Sequence, residues 1–127
     1  MTEYLVDTDV MIWYLRGHEA ARRLLHRIDF AISVVTYMEL LQGMRNKEEL
    51  RLFQRMIRSW GIRVIYLDEE ISARALFAME HYFLSHNLQL ADALIGATCL
   101  RHGLILVTAN DKHYRVFGEL QLEIFRP

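Results

Sequence analysis

The sequence predicts an α/β fold: a three-layer α/β/α sandwich around a mostly parallel central sheet of four to five strands. Two observations carry this. Short β-branched runs alternate with longer stretches of helical periodicity, the pattern of a parallel sheet covered by helices on both faces. Polar and acidic residues follow several of the runs directly, where such sheets bind ligands. The 127 residues, 53% of them hydrophobic, contain no Ser/Gly/Pro-rich linker, no low-complexity tract and no internal repeat. Residues 1–127 therefore read as one domain with a real core.

Tyr4-Leu5-Val6 is a short strand that stops at Asp7. A helix from about Asp9 to Leu15 follows and ends at Arg16-Gly17. His18 to Ile28 reads as a second helix, with Ala21, Leu24, Leu25 and Ile28 on one face. Phe30 to Val35 is a buried strand. Thr36 then caps a helix running to Gly43, with Glu39 completing a T-x-x-E capping box. Asn46 caps a helix to Trp60, with Leu50, Phe53, Met56, Ile57 and Trp60 at helical spacing. Arg63 to Leu67 is a third strand. Asp68 caps a long helix to about His86 that buries Ile71, Ala75, Ala78 and Tyr82. Leu90 to His102 is helical and ends at Gly103. Leu104 to Val107 is a fourth strand, and Leu122 to Phe125 a candidate fifth.

Composition narrows the function. No segment is long and apolar enough to span a membrane, and the N-terminus lacks the basic-then-apolar pattern of a signal peptide. A single cysteine, Cys99, cannot form an internal disulfide; it reads as packing, and a reducing, cytoplasmic compartment is expected. The six histidines show no paired spacing, which argues against zinc. The net charge of −1 hides an uneven distribution. With Asp7, Asp9, Glu39, Asp92 and Asp111 set aside as a candidate acidic site, eleven acids face fifteen bases, thirteen of them arginine. An acidic pocket in a mildly basic surface suits a polyanionic substrate held near metal ions, although Arg-rich helices are equally compatible with plain solvation.

The acids stand where carboxylates are costly. Asp7 and Asp9 interrupt apolar sequence. Glu39 is the only charge between Phe30 and Met44, and Asp92 the only charge between Leu88 and Leu100. An unpaired carboxylate in apolar surroundings costs several kcal/mol, on the order of the desolvation penalty per ion. Neither Glu39 nor Asp92 has a Lys or Arg at helical spacing. A shared oxygen-ligand metal site is the leading explanation, with hydrolytic or phosphoryl chemistry as its consequence. Simpler roles compete at each position: helix capping for Asp7, Thr8 or Asp92, the helix dipole for Asp9, the capping box for Glu39. Thr108 either bonds a ligand carboxylate or caps. His113 is a candidate donor to the site or an ordinary surface histidine.

The strings LVDTDVMIWYL, SVVTYMELLQG, LQLADALIGATCLRHGLILVTAND and HYRVFGELQLE, in that order and spacing, resemble PIN-domain ribonucleases over nearly the whole chain, specifically VapC-like toxins of toxin–antitoxin pairs. The resemblance implies a metal-dependent endoribonuclease with Mg²⁺ or Mn²⁺ between the carboxylates and a water attacking the phosphate in line. It carries the acids over to Asp7, Glu39 and Asp92, and the polar strand-end positions to Thr8 and Thr108. Asp7 and Asp92 are expected as direct ligands, with Glu39 a ligand or an orienter of the water. The fourth site falls on Asn110 or Asp111, directly or through water, and Asp9 with this loop is expected either to support the ligands or to hold a second metal ion. An RNA substrate, a small antitoxin whose tail blocks the pocket, and toxin homodimers are implied too. Met11, Trp13, Tyr14, Leu52, Phe53 and Trp60 supply apolar area for such surfaces or for core. Arg16, Arg45, Lys112 and Arg115 lie near strand-end loops and are candidate phosphate contacts.

Two rival readings stand beside this one. Leu5 to Val10 also resembles the first motif of haloacid-dehalogenase-type phosphatases, with Asp7 as covalent nucleophile and Asp9 as acid/base. That leaves Glu39 and Asp92 unexplained, and Lys112 and Asp111 fit its later motifs poorly. The other is an inactive nuclease fold serving as a binding module.

Overall fold

The computed structural model describes residues 2–127. The chain order is β1 (Tyr4–Val6), α1 (Thr8–Leu15), α2 (Glu19–Arg27), β2 (Phe30–Ser33), α3 (Val34–Gln42), α4 (Lys47–Trp60), β3 (Arg63–Ile65), α5 (Glu69–His86), α6 (Leu90–His102), β4 (Ile105–Thr108), a 3₁₀ turn (Asp111–Tyr114) and β5 (Leu122–Ile124). One five-stranded sheet has the order β3-β2-β1-β4-β5, and every neighbouring pair is parallel. No helix among the described residues is long and apolar enough to cross a membrane.

The two-residue period of the strands divides the core. Val6, Ile32 and Val107 point to the layer formed by α1, α2 and α4, where they meet Val10, Leu25, Phe53 and Ile57. Leu5, Ala31 and Leu106 point the other way, against Ile95 and Cys99 of α6. Helix α5 lies outside α6 and buries Ile71, Ala75 and Ala78 against Ala93 and Ala97. Of the stripe expected on α5, Ile71, Ala75 and Ala78 are buried and Tyr82 is partly so, and Cys99 is core.

Several boundaries move, for local physical reasons. Strand β2 stops at Ser33, where its register with β3 ends at Ser33↔Ile65. Val34 and Val35 are β-branched, yet with no strand beyond that register to pair with they open α3 instead. Ser33 caps that helix, its Oγ accepting from Val35 N at 3.0 Å. Thr36 is therefore a fully buried helical residue and not the cap, and the expected T-x-x-E box does not form. Asp7 caps α1, which begins at Thr8, and His18 caps α2. Asn46 and Asp68 cap α4 and α5 as expected. Strand β3 ends at Ile65, leaving Tyr66 and Leu67 exposed. Gly61 and Gly103 end α4 and α6 with φ of 69° and 64°, a left-handed conformation that costs glycine little.

The small-residue face of α6 has a specific use. A Cβ built on Gly96 would stand 2.6 Å from Cε2 of Phe117. The ring packs into the space a side chain would fill. Gly96→Ala is expected to destabilise the fold by about 1–3 kcal/mol through overpacking, despite the better helix propensity of alanine. Urea unfolding measures it; a midpoint at or above wild type would mean the ring moves aside freely.

Candidate functional site

The sheet order makes β1 and β4 neighbours across the point where the chain reverses its direction of winding. Crevices outside the carboxyl ends of parallel strands form at such points. Asp7 leaves β1 there and is buried. Its Oδ1 accepts from Thr8 N at 2.8 Å and its Oδ2 from the Thr108 hydroxyl at 2.8 Å, at the end of β4. Thr108 Oγ1 in turn accepts from Asn110 N at 3.0 Å. Both polar strand-end residues therefore orient carboxylates: the Thr8 hydroxyl donates to Glu39 Oε1 at 2.6 Å and lies 2.9 Å from the Thr36 hydroxyl. Glu39 thus reaches back from α3 to the start of α1.

Asp9 occupies the opposite wall. Its Oδ1 accepts from Val10 N at 2.7 Å, and its Oδ2 from Ala109 N at 3.0 Å and Asn110 Nδ2 at 2.8 Å. Asp9 is a brace between α1 and the loop after β4, and Asn110 is its partner. Asp92 arrives on the first turn of α6. The Tyr114 hydroxyl donates to its Oδ1 at 3.2 Å, and His113 Nδ1 stands 3.3 Å from its Oδ2. No side chain caps α6 at Gln89, so Asp92 is not a cap. The sequence does not mark Tyr114 as a site residue: an aromatic after a polar loop carries no sign of the hydroxyl it aims at an acid on the far side of β4.

The electrostatics bind these acids into one group. Burial, then the Asp9 charge, pushes the Asp7 carboxyl up to about 7. Burial raises Asp9 as well, against the hydrogen bonds from Ala109 and Val10. Asp92 is raised mainly by burial and further by the charges of Glu39 and Asp9, with His113 and Tyr114 opposing. Burial, then the Asp7 and Asp92 charges, holds the Tyr114 hydroxyl protonated, as a donor must be. Among the described residues none of the four carboxylates pairs with a Lys or Arg.

Asp111 belongs elsewhere. Its two oxygens are taken by Arg126 at 3.1 Å and Arg115 at 3.0 Å, and those arginines hold its carboxyl below the usual range. It shares in none of the shifts of Asp7, Asp9 or Asp92. Arg126, which no local sequence pattern marks, also donates to Ala109 O at 3.0 Å. Lys112 and His113 lie on the same 3₁₀ turn. Arg16 and Arg45 line a groove of about 680 Å³ between α1, α3 and α4, which also includes Glu39, Ile12, Leu15, Leu52 and Met56. Arg45 is clasped by Glu49 at 2.8 Å. Met11 and Phe53 are core, while Trp13, Tyr14 and Trp60 pack against it; of the six residues considered for an apolar surface, Leu52 is the exposed one.

The donor set is all oxygen, acid-rich and uncompensated, which fits a hard divalent cation and not zinc. No three of the described His, Cys, Asp and Glu side chains form a ready ligand cage. Any ion held here would therefore rest on one or two of these carboxylates. Asp9 accepts three hydrogen bonds that brace α1 against the loop after β4, and a phosphatase reading leaves Glu39 and Asp92 without a role.

Sheet and site together define an α/β protein with an acidic, cation-seeking pocket at its switch point. More particularly, the chain belongs to the PIN domain family, whose model matches residues 4–119. It is 43% identical over 122 residues to Ribonuclease VapC10 of Mycobacterium tuberculosis, covering 92% of this chain and 90% of that one. Ribonuclease VapC19 of the same organism is 30% identical, covering 92% and 96%. Among solved structures, a toxin–antitoxin complex from Klebsiella pneumoniae matches with TM-score 0.72 and 29% identity over 88% of this chain and 90% of that one. DNA-bound VapBC from Salmonella typhimurium matches with TM-score 0.82 over 98% of each chain; at 19% identity it shows the fold alone.

The raised carboxyls set a pH dependence. Asp7 titrates at 3.8 in an ordinary setting and about 7 in the fold, so between these values the folded protein binds more protons than the unfolded chain. Stability is then fully present below about pH 4 as far as this group is concerned, and is lost as pH rises through about 7. In metal-free buffer at about pH 8, Asp7→Asn is expected to melt above wild type, by several degrees on the order of 1–2 kcal/mol, with a flatter profile from pH 4 upward. Scanning fluorimetry across pH decides it: a variant melting below wild type at pH 8 would contradict the electrostatic account.

Proposed function

We propose that this protein is an Mg²⁺- or Mn²⁺-dependent endoribonuclease, the toxin of a toxin–antitoxin pair. The observation that carries the reading is the group of four carboxylates, Asp7, Asp9, Glu39 and Asp92, at the switch point with no Lys or Arg partner among the described residues. The names of the 43% and 30% identical relatives support ribonuclease activity, and the 29% identical Klebsiella complex supports an antitoxin partner.

Asp7 and Asp92 would hold the ion, with Glu39 beside them as a further ligand or as the group that orients the attacking water. A bound divalent ion supplies positive charge to the phosphate and makes nearby water more acidic. The chain's own residues do the rest. Thr108 and Thr8 N fix both oxygens of Asp7, and Thr8 fixes one oxygen of Glu39, so the acids do not reorganise when charge develops. Asp9 and Asn110 brace the wall of the pocket. Tyr114 and His113 orient Asp92.

The groove between α1, α3 and α4 runs from apolar Ile12, Leu15, Leu52 and Met56 to Glu39 and fits an amphipathic antitoxin segment ending at the acids. Self-association into a homodimer is part of the same reading; sedimentation of the free toxin at high micromolar concentration should give a dimer, and a monomer there would remove that part.

Purified protein incubated with a total tRNA and ribosomal RNA pool should give discrete fragments with Mg²⁺ or Mn²⁺ and none with EDTA. Asp7→Asn and Asp92→Asn should lose cleavage. Thr8→Val, which keeps the volume but removes the donor to Glu39, should lose about 10–100-fold. Cleavage that persists in EDTA or in both Asn variants would refute the metal-site reading.

A further inference from the structure

Asp111 is buried, and a buried carboxylate needs a cation. This one has two, Arg126 on Oδ1 at 3.1 Å and Arg115 on Oδ2 at 3.0 Å, leaving the trio with net charge +1. The guanidinium-bearing side chains are 64% and 67% exposed while the Asp111 side chain is 10% exposed. Exposed ion pairs contribute little to stability, so stability alone is a weak reason for the second arginine. The geometry has another consequence. A shared, fixed carboxylate holds two solvent-facing guanidiniums in place, and groups already fixed lose less freedom when they bind.

Position gives this a direction. Arg126 donates to Ala109 O at 3.0 Å, and the N–H of the same residue donates to Asp9 Oδ2 at 3.0 Å, so one residue separates the guanidinium from the acidic wall. The turn that carries Asp111 also carries His113 and Tyr114, which contact Asp92. An acidic pocket repels a polyanion; a strand brought to it needs cationic anchors at its rim. Arginine has five N–H donors in a planar fork suited to phosphate. Arg115 commits one nitrogen to Asp111, and Arg126 commits two nitrogens in all. Both retain donors. We infer that Arg115 and Arg126, aligned by Asp111, form a phosphate-binding subsite for the RNA backbone next to the cleavage pocket, an inference that rests on the ribonuclease reading.

The test is binding, not turnover. A fluorescein-labelled, mixed-sequence single-stranded RNA of about twenty nucleotides is titrated with the Asp7→Asn protein, and anisotropy is followed over a range of salt concentrations. Arg115→Ala and Arg126→Ala, each placed in the Asp7→Asn protein, should weaken binding several-fold and lower the slope of log K against log salt by about 0.7 each, the value for one phosphate contact on a single strand. Arg126→Lys should keep most of the slope. The control is Arg63→Ala, exposed at the start of β3 on the opposite edge of the sheet from β5; it should change neither quantity. Arg115 is on the surface, so its variant keeps the test alive if loss of Arg126 lowers the melting temperature. Folded Arg115→Ala and double variants with unchanged affinity and slope overturn the subsite alone. Absence of RNA binding by any form, with no cleavage by the wild type, overturns the ribonuclease reading and the subsite together.

Discussion

The arrangement depends on one buried carboxylate. Asp7 stands where β1 ends, and its two oxygens draw in two different parts of the chain: the first N–H of α1 and the hydroxyl that closes β4. The sheet neighbours β1 and β4 are far apart in sequence, and this bond from Thr108 spans 101 residues. It fixes how α1 leaves the sheet. From there Thr8 reaches Glu39 and Asp9 reaches the loop after β4. The α3 wall and the wall after β4 are thus referred to the same strand end, while the Asp92 wall is held by Tyr114 and His113.

Such a centre stores free energy. Raising the Asp7 carboxyl from 3.8 to about 7 corresponds to a few kcal/mol at neutral pH. That is a sizeable part of the roughly 5–15 kcal/mol that stabilises a domain. Asp9 and Asp92 are displaced in the same direction. The fold tolerates this because the carboxylates are hydrogen-bonded and because no buried polar side-chain atom among the described residues lacks a partner. Hydrogen bonds satisfy the oxygens without neutralising their charge. A divalent cation would relieve that charge in a way that no further hydrogen bond can.

Most of the architecture was legible because it follows from periodicity and caps. Asn46, Asp68, Gly61 and Gly103 mark helix ends by local chemistry, and their elements begin and end where the sequence says. Strand ends shift at Tyr66-Leu67 and Leu104, and the larger failures are at Val34-Val35 and Thr36. Their propensities favour a strand and a cap, and only the register with β3 decides otherwise. The acids Asp7, Glu39 and Asp92 stood out as charges isolated in apolar sequence, but their partners did not. Thr36 contacts Thr8 across 28 residues and Tyr114 contacts Asp92 across 22, and no local pattern encodes either contact.

Asp111 shows how far residue type falls short of function. It neighbours Asn110, which belongs to the pocket, and sequence alone does not separate their roles. The structure does, through a residue fifteen positions later: Arg126 takes one Asp111 oxygen and Arg115 the other, and together they pull its carboxyl down while burial pushes Asp7, Asp9 and Asp92 up. Two adjacent residues of one loop thereby face opposite electrostatic environments. Asn110 faces acids that call for a cation, and Asp111 anchors cations that face solvent. Such a sharp change of sign could not be sustained in bulk water, where charges a few ångströms apart interact by only about 1 kcal/mol. It persists because Asp111 and Asp7 are withdrawn from solvent and the other pocket acids partly so, and because the backbone between them is pinned at Ala109 on both its N–H and its C=O.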